Sequence, residues 1–494
     1  MRLSRIPYKY LVAIVFIFGL FMDLMDTTIV NVAIPSLRHD FHASTSLVEW
    51  TITGYLLSLA AVIPAAGWLS DRYGTKRIFL LAMGIFVAAS AACGLAQNIE
   101  QLIAFRFVQG IGGGMMTPVG TAMLSREFPG TERAKASAIL SVPVVLAPTI
   151  GPVLGGFLID FVSWRWIFYV NLPVGIAGIA MTYAVLKEHR EAYAQRGFDV
   201  PGLLLGSGSA AMMVYAVSRA GSEGWGSPQV VGFGLGGVAV AAIFTVIELT
   251  VKYPILDLRL LKRWLFASGN LMMMSSFAAF GGFGLLLTLF LQDVRGYSPL
   301  QAGLLQAPSS IGTAISLPLA SFLYPSMGPR KMMLFGFGFA ALTFAPFYFV
   351  GLDTPVWVIM ALLVVRGLPF AFAAVASQTL LFGPIESEKQ GPASSIYSTL
   401  RQVASSFGVA LIVTIALSRT RAHEASALTD AHLASPTADI ARHAAVSGFH
   451  DAYLGVVALM AIPFFIAFFI NDKKAAELLR SRMQQHIEIE PVSA

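Results

Sequence analysis

Apolar runs of about twenty residues recur from one end of this chain to the other, and they constrain its fold more than any motif does. A hydrocarbon core about 30 Å thick takes about 20 helical residues to cross, and lipid leaves no partner for an unpaired backbone amide. Fourteen runs satisfy that length: 11–33, 47–69, 78–96, 101–123, 136–158, 166–186, 200–219, 228–248, 265–291, 299–323, 332–350, 356–380, 394–417 and 450–470. The fold class expected is an all-α polytopic membrane protein. Only 12% of the residues are charged and 56% are hydrophobic, where a soluble domain carries about 25% charged. The net charge of +6 does not point to nucleic acid, because Lys and Arg lie in short clusters between the runs. The first run is longer than a signal-peptide core and has no small-residue cleavage site, so it reads as a span. Cys93 is the single cysteine, which rules out a disulfide framework.

Placing the N-terminus in the cytoplasm puts 23 of the 33 Lys and Arg on the inner side and 7 on the outer, Arg219 at the outer end of the run 200–219 counted among them. That asymmetry supports the orientation, and an even helix count puts both termini inside. The chain also looks duplicated. GWLSDRYGTKR (67–77) follows the second run and YPSMGPRK (324–331) follows the tenth, with Gly74, Lys76 and Arg77 echoed in Gly328, Arg330 and Lys331 and Asp71 falling on Pro325. The organisation expected is a six-helix bundle over 1–190, two additional helices over 191–260, a second six-helix bundle over 261–472 and a cytoplasmic tail over 473–494. Repeats of this kind place a binding site near the midplane between two halves.

Acids inside a span are expensive, at least about 2.5 kcal/mol on insertion scales, and mark function by default. Asp23 and Asp26 lie in the first run, roughly 18 Å and 22 Å from its inner edge at about 1.5 Å per residue. Arg106, entering from the other side in the fourth run, lies roughly 21 Å from the inner edge by the same rise. Asp26 and Arg106 are therefore level, and loading a proton on Asp26 changes how the first and fourth helices associate. Asp23 and Asp26 are three apart and share a helix face, which disfavours double ionisation. A purely structural role, capping or bonding a broken helix, stays open for both. The eight histidines fall in loops or tails, so no histidine relay crosses the spans. Arg366, in the second-half counterpart of the Arg106 helix, and Arg401 are the other intramembrane cations. Each either holds a helix interface or binds an anionic portion of a substrate.

LMDTTIVNVAIP, GWLSDRYGTKR, RFVQGIGGG (106–114), APTIGPVLGG (147–156) and WRWIFYVNLPVG (164–175) occur in order. Together they resemble the signature motifs of the major facilitator superfamily, in its fourteen-helix drug:proton antiporter branch. The resemblance extends through LQDVRGYSPLQAGL (291–304) and implies the major facilitator fold, two six-helix bundles plus two central helices. It matches Asp26 to the first-span motif and implies that Asp26 couples protons; Asp23 stands outside that core pattern and joins the proton-coupling candidates, with Arg106, by depth and spacing alone. It makes Gly67, Asp71, Arg72, Gly74 and Arg77 a latch at the cytoplasmic face; physically, Asp71 can accept from nearby helix N-termini or pair with Arg72 or Arg77. Pro148, Gly151, Pro152, Gly155 and Gly156 form the motif associated with export; physically, they strip side chains from one helix face and favour a kink and close packing. Trp164, Trp166 and Tyr169 read as an aromatic belt.

For the substrate cavity the candidates are Asn31, Gln109, Met115, Met116, Met273, Phe277, Gln292, Arg366 and Gln378, combining thioethers and rings for hydrophobic ligands with a few polar groups. A buried carboxylate pair favours lipophilic cations, since proton and cation then compete for one charge. No phosphate loop, dinucleotide glycine pattern or metal-ligand spacing is present in the sequence. The expectation is a secondary transporter, not an enzyme, with no cofactor and the proton gradient as energy source. It exports hydrophobic, cationic drugs across the bacterial inner membrane, with membrane lipid around it and no nucleic acid. Export of one endogenous metabolite, lipid or siderophore is the alternative within transport; a non-transporting sensor or scaffold is the alternative outside it. Residues 418–449 form the longest outer loop, a short surface helix or disorder, and the place for a periplasmic adaptor protein if one is used.

Overall fold

The computed structural model describes residues 7–128, 133–189, 197–383, 385–386, 389–431 and 435–470; the expected tail 473–494 lies outside them. The described elements are helices, and no strand occurs among the described residues. Those of eight residues or more are, in chain order, α1 (Tyr8–Ile29), α2 (Trp50–Tyr73), α3 (Thr75–Leu95), α4 (Ile99–Glu127), α5 (Arg133–Phe161) and α6 (Asn171–Val185). Two further helices follow, α7 (Val200–Glu223) and α8 (Pro228–Thr250). The second half comprises α9 (Trp264–Leu289), α10 (Pro299–Gln306), α11 (Pro308–Phe344), α12 (Val356–Phe382), α13 (Gln390–Asp430) and α14 (Ala438–Phe468).

Local chemistry sets the ends. Asn98 caps α4 by accepting from the Gln101 amide at 2.8 Å, and Ser298 and Gln301 form a reciprocal capping box at α10. Gly74, at φ +102°, makes the turn from α2 to α3, and Gly328, at φ +72°, bends α11. Both stand where a β-carbon is strained, so the two echoed glycines of the sequence repeat do the same backbone work. Beyond that turn the repeat has diverged, with Pro325 standing in the place of Asp71.

Helices occupy the places of all fourteen apolar runs, and among the described residues eleven are long and apolar enough to cross a membrane. The fourth run falls short because α4 spends its positions on Arg106, Gln109 and five glycines. The tenth is divided between α10 and α11. The glycines of α4 are what let it seat between α2 and α3: a β-carbon at Gly112 would lie 2.6 Å from the Phe86 backbone nitrogen, and one at Gly114 2.6 Å from the Leu59 carbonyl. In the second half Gly367 of α12 packs against Ser309 and Thr313 of α11 in the same manner.

The two halves meet at the end bearing Asp293. Arg38 donates to both Asp293 oxygens at 2.9 and 2.7 Å, Ser298 Oγ donates to Asp160 at 2.7 Å, and Gln292 Nε2 donates to the Val32 carbonyl at 3.0 Å. Ser406 Oγ donates to the Thr53 carbonyl at 3.2 Å, continuing the contact along α2 and α13. The additional helices lean on α13, where Thr414 Oγ1 donates to the Val217 carbonyl at 2.9 Å. α8 leaves Leu235, Val238 and Val246 more than half exposed, as lipid-facing side chains are.

Residues 418–449 are not a separate loop helix: α13 runs on to Asp430 and α14 starts at Ala438. Both helices outrun their apolar segments because alanine-rich sequence sustains helix in water. The belt expectation also needs correcting at Trp164, which is buried, its indole donating to Asp40 at 2.8 Å; Trp166 is exposed.

Candidate functional site

Asp23 and Asp26 are both buried on α1, and Arg106 on α4 is 1% exposed. Burial at this depth leaves a charge no solvent, so every polar atom must find a protein partner. Asp26 finds three contacts from three side chains. Arg106 Nη1 pairs with its Oδ2, while Gln109 Nε2 and Asn171 Nδ2 donate to Oδ1 at 3.0 and 3.1 Å. Arg106 is equally well held: Nη1 donates to Gln109 Oε1 at 2.7 Å and Nε to the Thr51 carbonyl at 2.8 Å. Its guanidinium lies 4.1 Å from the centre of the Tyr55 ring.

Tyr55 links the two acids. Its face carries Arg106, and its hydroxyl donates to Asp23 Oδ1 at 2.7 Å. Thr117 Oγ1 donates to Asp23 Oδ2 at 3.4 Å. Asp23 thus accepts from neutral hydroxyls, and Arg401 of α13, in the other half, lies within electrostatic reach of it. The approach of Tyr55 depends on Gly113, where a β-carbon would stand 2.7 Å from the tyrosine oxygen. Asn171 is itself fixed by Ser90, to whose Oγ it donates at 3.1 Å, and Ser90 donates to the Phe168 carbonyl at 2.8 Å. One network therefore joins α1, α2, α3, α4 and α6.

Sequence reasoning placed Asp26 level with Arg106, and the structure brings them into contact. It assigned Gln109 to a substrate cavity; the structure puts that side chain inside the ion-pair network, fully buried. Met115, Met116 and Met273 are likewise buried, the first two where the glycine-rich α4 draws its neighbours in, and Met273 in the second-half core with Phe266, Met332 and Phe337. Gln292 spans the contact between the halves. Gln378 is exposed. Asn31 and Phe277 keep partial exposure, with Asn31 Nδ2 3.7 Å from the position a Gly284 β-carbon would take. Tyr55, Asn171, Thr117 and Ser90 were missed. Asn171 carried a signal, a carboxamide beside apolar residues in FYVNLPVG, whereas nothing in the sequence distinguishes Tyr55 from other span tyrosines.

At the opposite end of the molecule Asp71 pairs with Arg126 of α4 at 3.7 Å, in place of the expected Arg72 or Arg77. Arg77 turns to Glu188 at 3.5 Å, and Arg72 lies over the Trp68 ring at 5.3 Å. The reason is helical geometry: Gly74 turns the chain sharply, so Arg77 starts a new helix facing the segment after α6. Gly67 is exposed. In α5, Gly151 and Gly155 seat on α1 beside Met25 and Ile29, and Gly156 seats on Leu300 of α10. Pro148 and Pro152 lie within a helix that runs unbroken from Arg133 to Phe161, so the export motif packs α5 against both halves.

The chain's similarities agree with this architecture. A family model described as Major Facilitator Superfamily matches residues 16–409. A multidrug resistance protein B homolog of Mycobacterium tuberculosis (strain CDC 1551 / Oshkosh) is 36% identical over 403 residues, covering 79% of this chain and 73% of that protein. The multidrug export protein EmrB of Escherichia coli (strain K12) is 33% identical over 428 residues, covering 85% and 82%. Tetracenomycin C resistance and export protein of Streptomyces glaucescens is 30% identical over 414 residues, covering 84% and 76%. Among solved structures, a D-xylose-proton symporter superposes with a TM-score of 0.64 at 16% identity, over 95% of this chain and 99% of that one.

Proposed function

The chain belongs to the Major Facilitator Superfamily and is a multi-pass membrane transporter, and from that premise we propose that it exports hydrophobic compounds in exchange for protons. The observation that carries the coupling is the sharing of one carboxylate among three helices. Asp26 ties α1 to α4 through Arg106 and Gln109, and to α6 through Asn171. A proton on Asp26 cancels the charge that holds Arg106, so loading and release alter the packing of α1. Asp23, joined to that pair through Tyr55, is the adjoining relay position and faces Arg401 of the other half.

The drug-export names of the relatives above support hydrophobic drugs as cargo. A lipophilic cation suits the acids of the first half, since cation and proton compete for the same negative charge. Orientation follows the Lys and Arg distribution, with both termini in the cytoplasm and the chain in the bacterial inner membrane. Asp71, Arg126 and the Gly74 turn then form the cytoplasmic latch, and the contacts around Arg38 and Asp293 close the outer face. The helical extensions of α13 and α14 beyond that face are the surface for an adaptor protein. The proton gradient supplies the energy and no cofactor is needed.

The test uses inverted vesicles with an imposed proton gradient and ethidium as the probe. Gradient-dependent uptake by the wild type, lost in Asp26→Asn and reduced in Asp23→Asn, is the expected result. Uptake retained in both variants would sink the coupling assignment, and no ethidium uptake by the wild type would shift the cargo to a dedicated metabolite.

A further inference from the structure

Arg366 stands on α12, ten residues from its start, roughly 15 Å along the helix, in the half that carries no aspartate pair. Its guanidinium lies over three phenyl rings, 4.6 Å from the centre of Phe283, 5.3 Å from Phe280 and 5.5 Å from Phe344. Those rings meet edge to face, Phe280 and Phe283 each against Phe344. Among the described residues no ion pair is formed by Arg366. Its Nε is buried without a hydrogen-bond partner among the described residues, while its two terminal nitrogens are neither sealed in nor hydrogen-bonded.

An unpaired cation inside a membrane is costly, and rings recover only about 0.5–2 kcal/mol each for a guanidinium on their face. The four N–H donors of the two terminal nitrogens, in a rigid fork, remain available for a planar acid. The site borders the space between the halves, because partly exposed Phe280 lies one turn from Gly284, whose bare face meets Asn31 of the first half. One further turn away, Phe277 carries Arg401 at 5.4 Å. The same helix thus presents a strip of rings with a guanidinium at each end.

We infer that Arg366, cradled by Phe280, Phe283 and Phe344, is a binding site for the acidic group of a substrate, and that aromatic carboxylates are among the compounds this protein carries. The carboxylate takes a two-point hydrogen bond from the guanidinium, and the attached ring system lies along Phe280 and Phe277. This rests on the exporter reading for the presence of a cargo site, and extends it from cations to anions and zwitterions. An anionic lipid headgroup offers the same chemistry, and the experiment separates the two.

The measurement is equilibrium binding of radiolabelled 2-naphthoate to the full chain in phosphatidylcholine nanodiscs, with no gradient imposed. Failure of proton exchange therefore shows only in the vesicle assay and leaves this readout intact. Saturable binding by the wild type, weakened about tenfold or more in Arg366→Gln and partly kept in Arg366→Lys, with ethidium binding unchanged, is expected. The melting temperature of Arg366→Gln should match or exceed that of the wild type, since a cation without a partner is removed. Equal naphthoate affinity in wild type and Arg366→Gln would overturn the site. A lower melting temperature with parallel loss of both ligands would make Arg366 structural, which also overturns it. Anionic lipid that abolishes naphthoate binding to the wild type would give the arginine to a headgroup and overturn the substrate assignment.

Discussion

Arg106 and Arg366 stand on corresponding helices of the two halves, and their surroundings are opposite. Arg106 is enclosed and saturated, with a carboxylate, a carboxamide and a backbone carbonyl as acceptors. Arg366 has rings where Arg106 has acceptors. The difference teaches that a buried arginine in this fold is not one kind of object. The first half encloses its charge to make a device internal to the protein; the second leaves its charge unmatched, which is an affinity for something that arrives.

The largest expected effect tests the saturated side. Arg106→Gln removes one member of a buried pair and leaves Asp26 uncompensated, a loss of about 3–5 kcal/mol. Thermal unfolding in detergent should show it as a large fall in melting temperature. The double variant Asp26→Asn with Arg106→Gln should regain much of that fall, because no lone charge remains. If Arg366→Gln lowers stability as much as Arg106→Gln does, the contrast between the halves is broken.

A smaller effect sharpens the comparison by showing what the halves share. Gly112 and Gly367 both seat a helix directly on a neighbour's backbone, where a β-carbon would fall 2.6 Å from the Phe86 nitrogen and 2.9 Å from the Thr313 nitrogen. Neither backbone can move aside cheaply. Gly112→Ala and Gly367→Ala should each cost about 1–3 kcal/mol, read as a fall in melting temperature of similar size in the two variants. A large inequality would mean that one half is far more plastic, and that its arginine's setting is free to change.

These residues also show how far the sequence could be read. The helix positions were legible because lipid demands length and apolarity, and α4 falls below the threshold only through Arg106, Gln109 and its glycines. The level placement of Asp26 and Arg106 followed from rise per residue alone. The role of Gln109 did not, since a glutamine one turn from an arginine points equally well to a cavity or to an ion pair. Tyr55 was invisible for a different reason: its importance comes from Gly113 on another helix, a contact between elements that no local pattern records. Asp71 was found, but its partner was misassigned because sequence proximity favoured Arg77, whereas the turn at Gly74 gave Asp71 to Arg126, fifty-five positions away.

The smallest effect belongs to an ion pair outside the membrane, and it isolates burial as the variable. Arg263 Nη2, at the start of α9, donates at 2.7 Å to Glu386, in the connection between α12 and α13, and that hydrogen bond holds the Glu386 carboxyl below its ordinary 4.5. A lowered carboxylate contributes stability that is present at pH values above its unfolded value and is lost as the pH falls through the lowered one. Both side chains are more than a third exposed, so solvent screens the pair and its worth is about 0–1 kcal/mol. Glu386→Gln should therefore leave the melting temperature at pH 7 within about 2 °C of wild type, with the difference between the two shrinking further below pH 4.5 as wild-type Glu386 takes up its proton. The geometry of this pair is as good as a buried one, and its distance is ordinary. If its loss nevertheless approached that of Arg106→Gln, then enclosure would not be what separates the two halves, and the reading of Arg366 as a charge waiting for a partner would lose its basis.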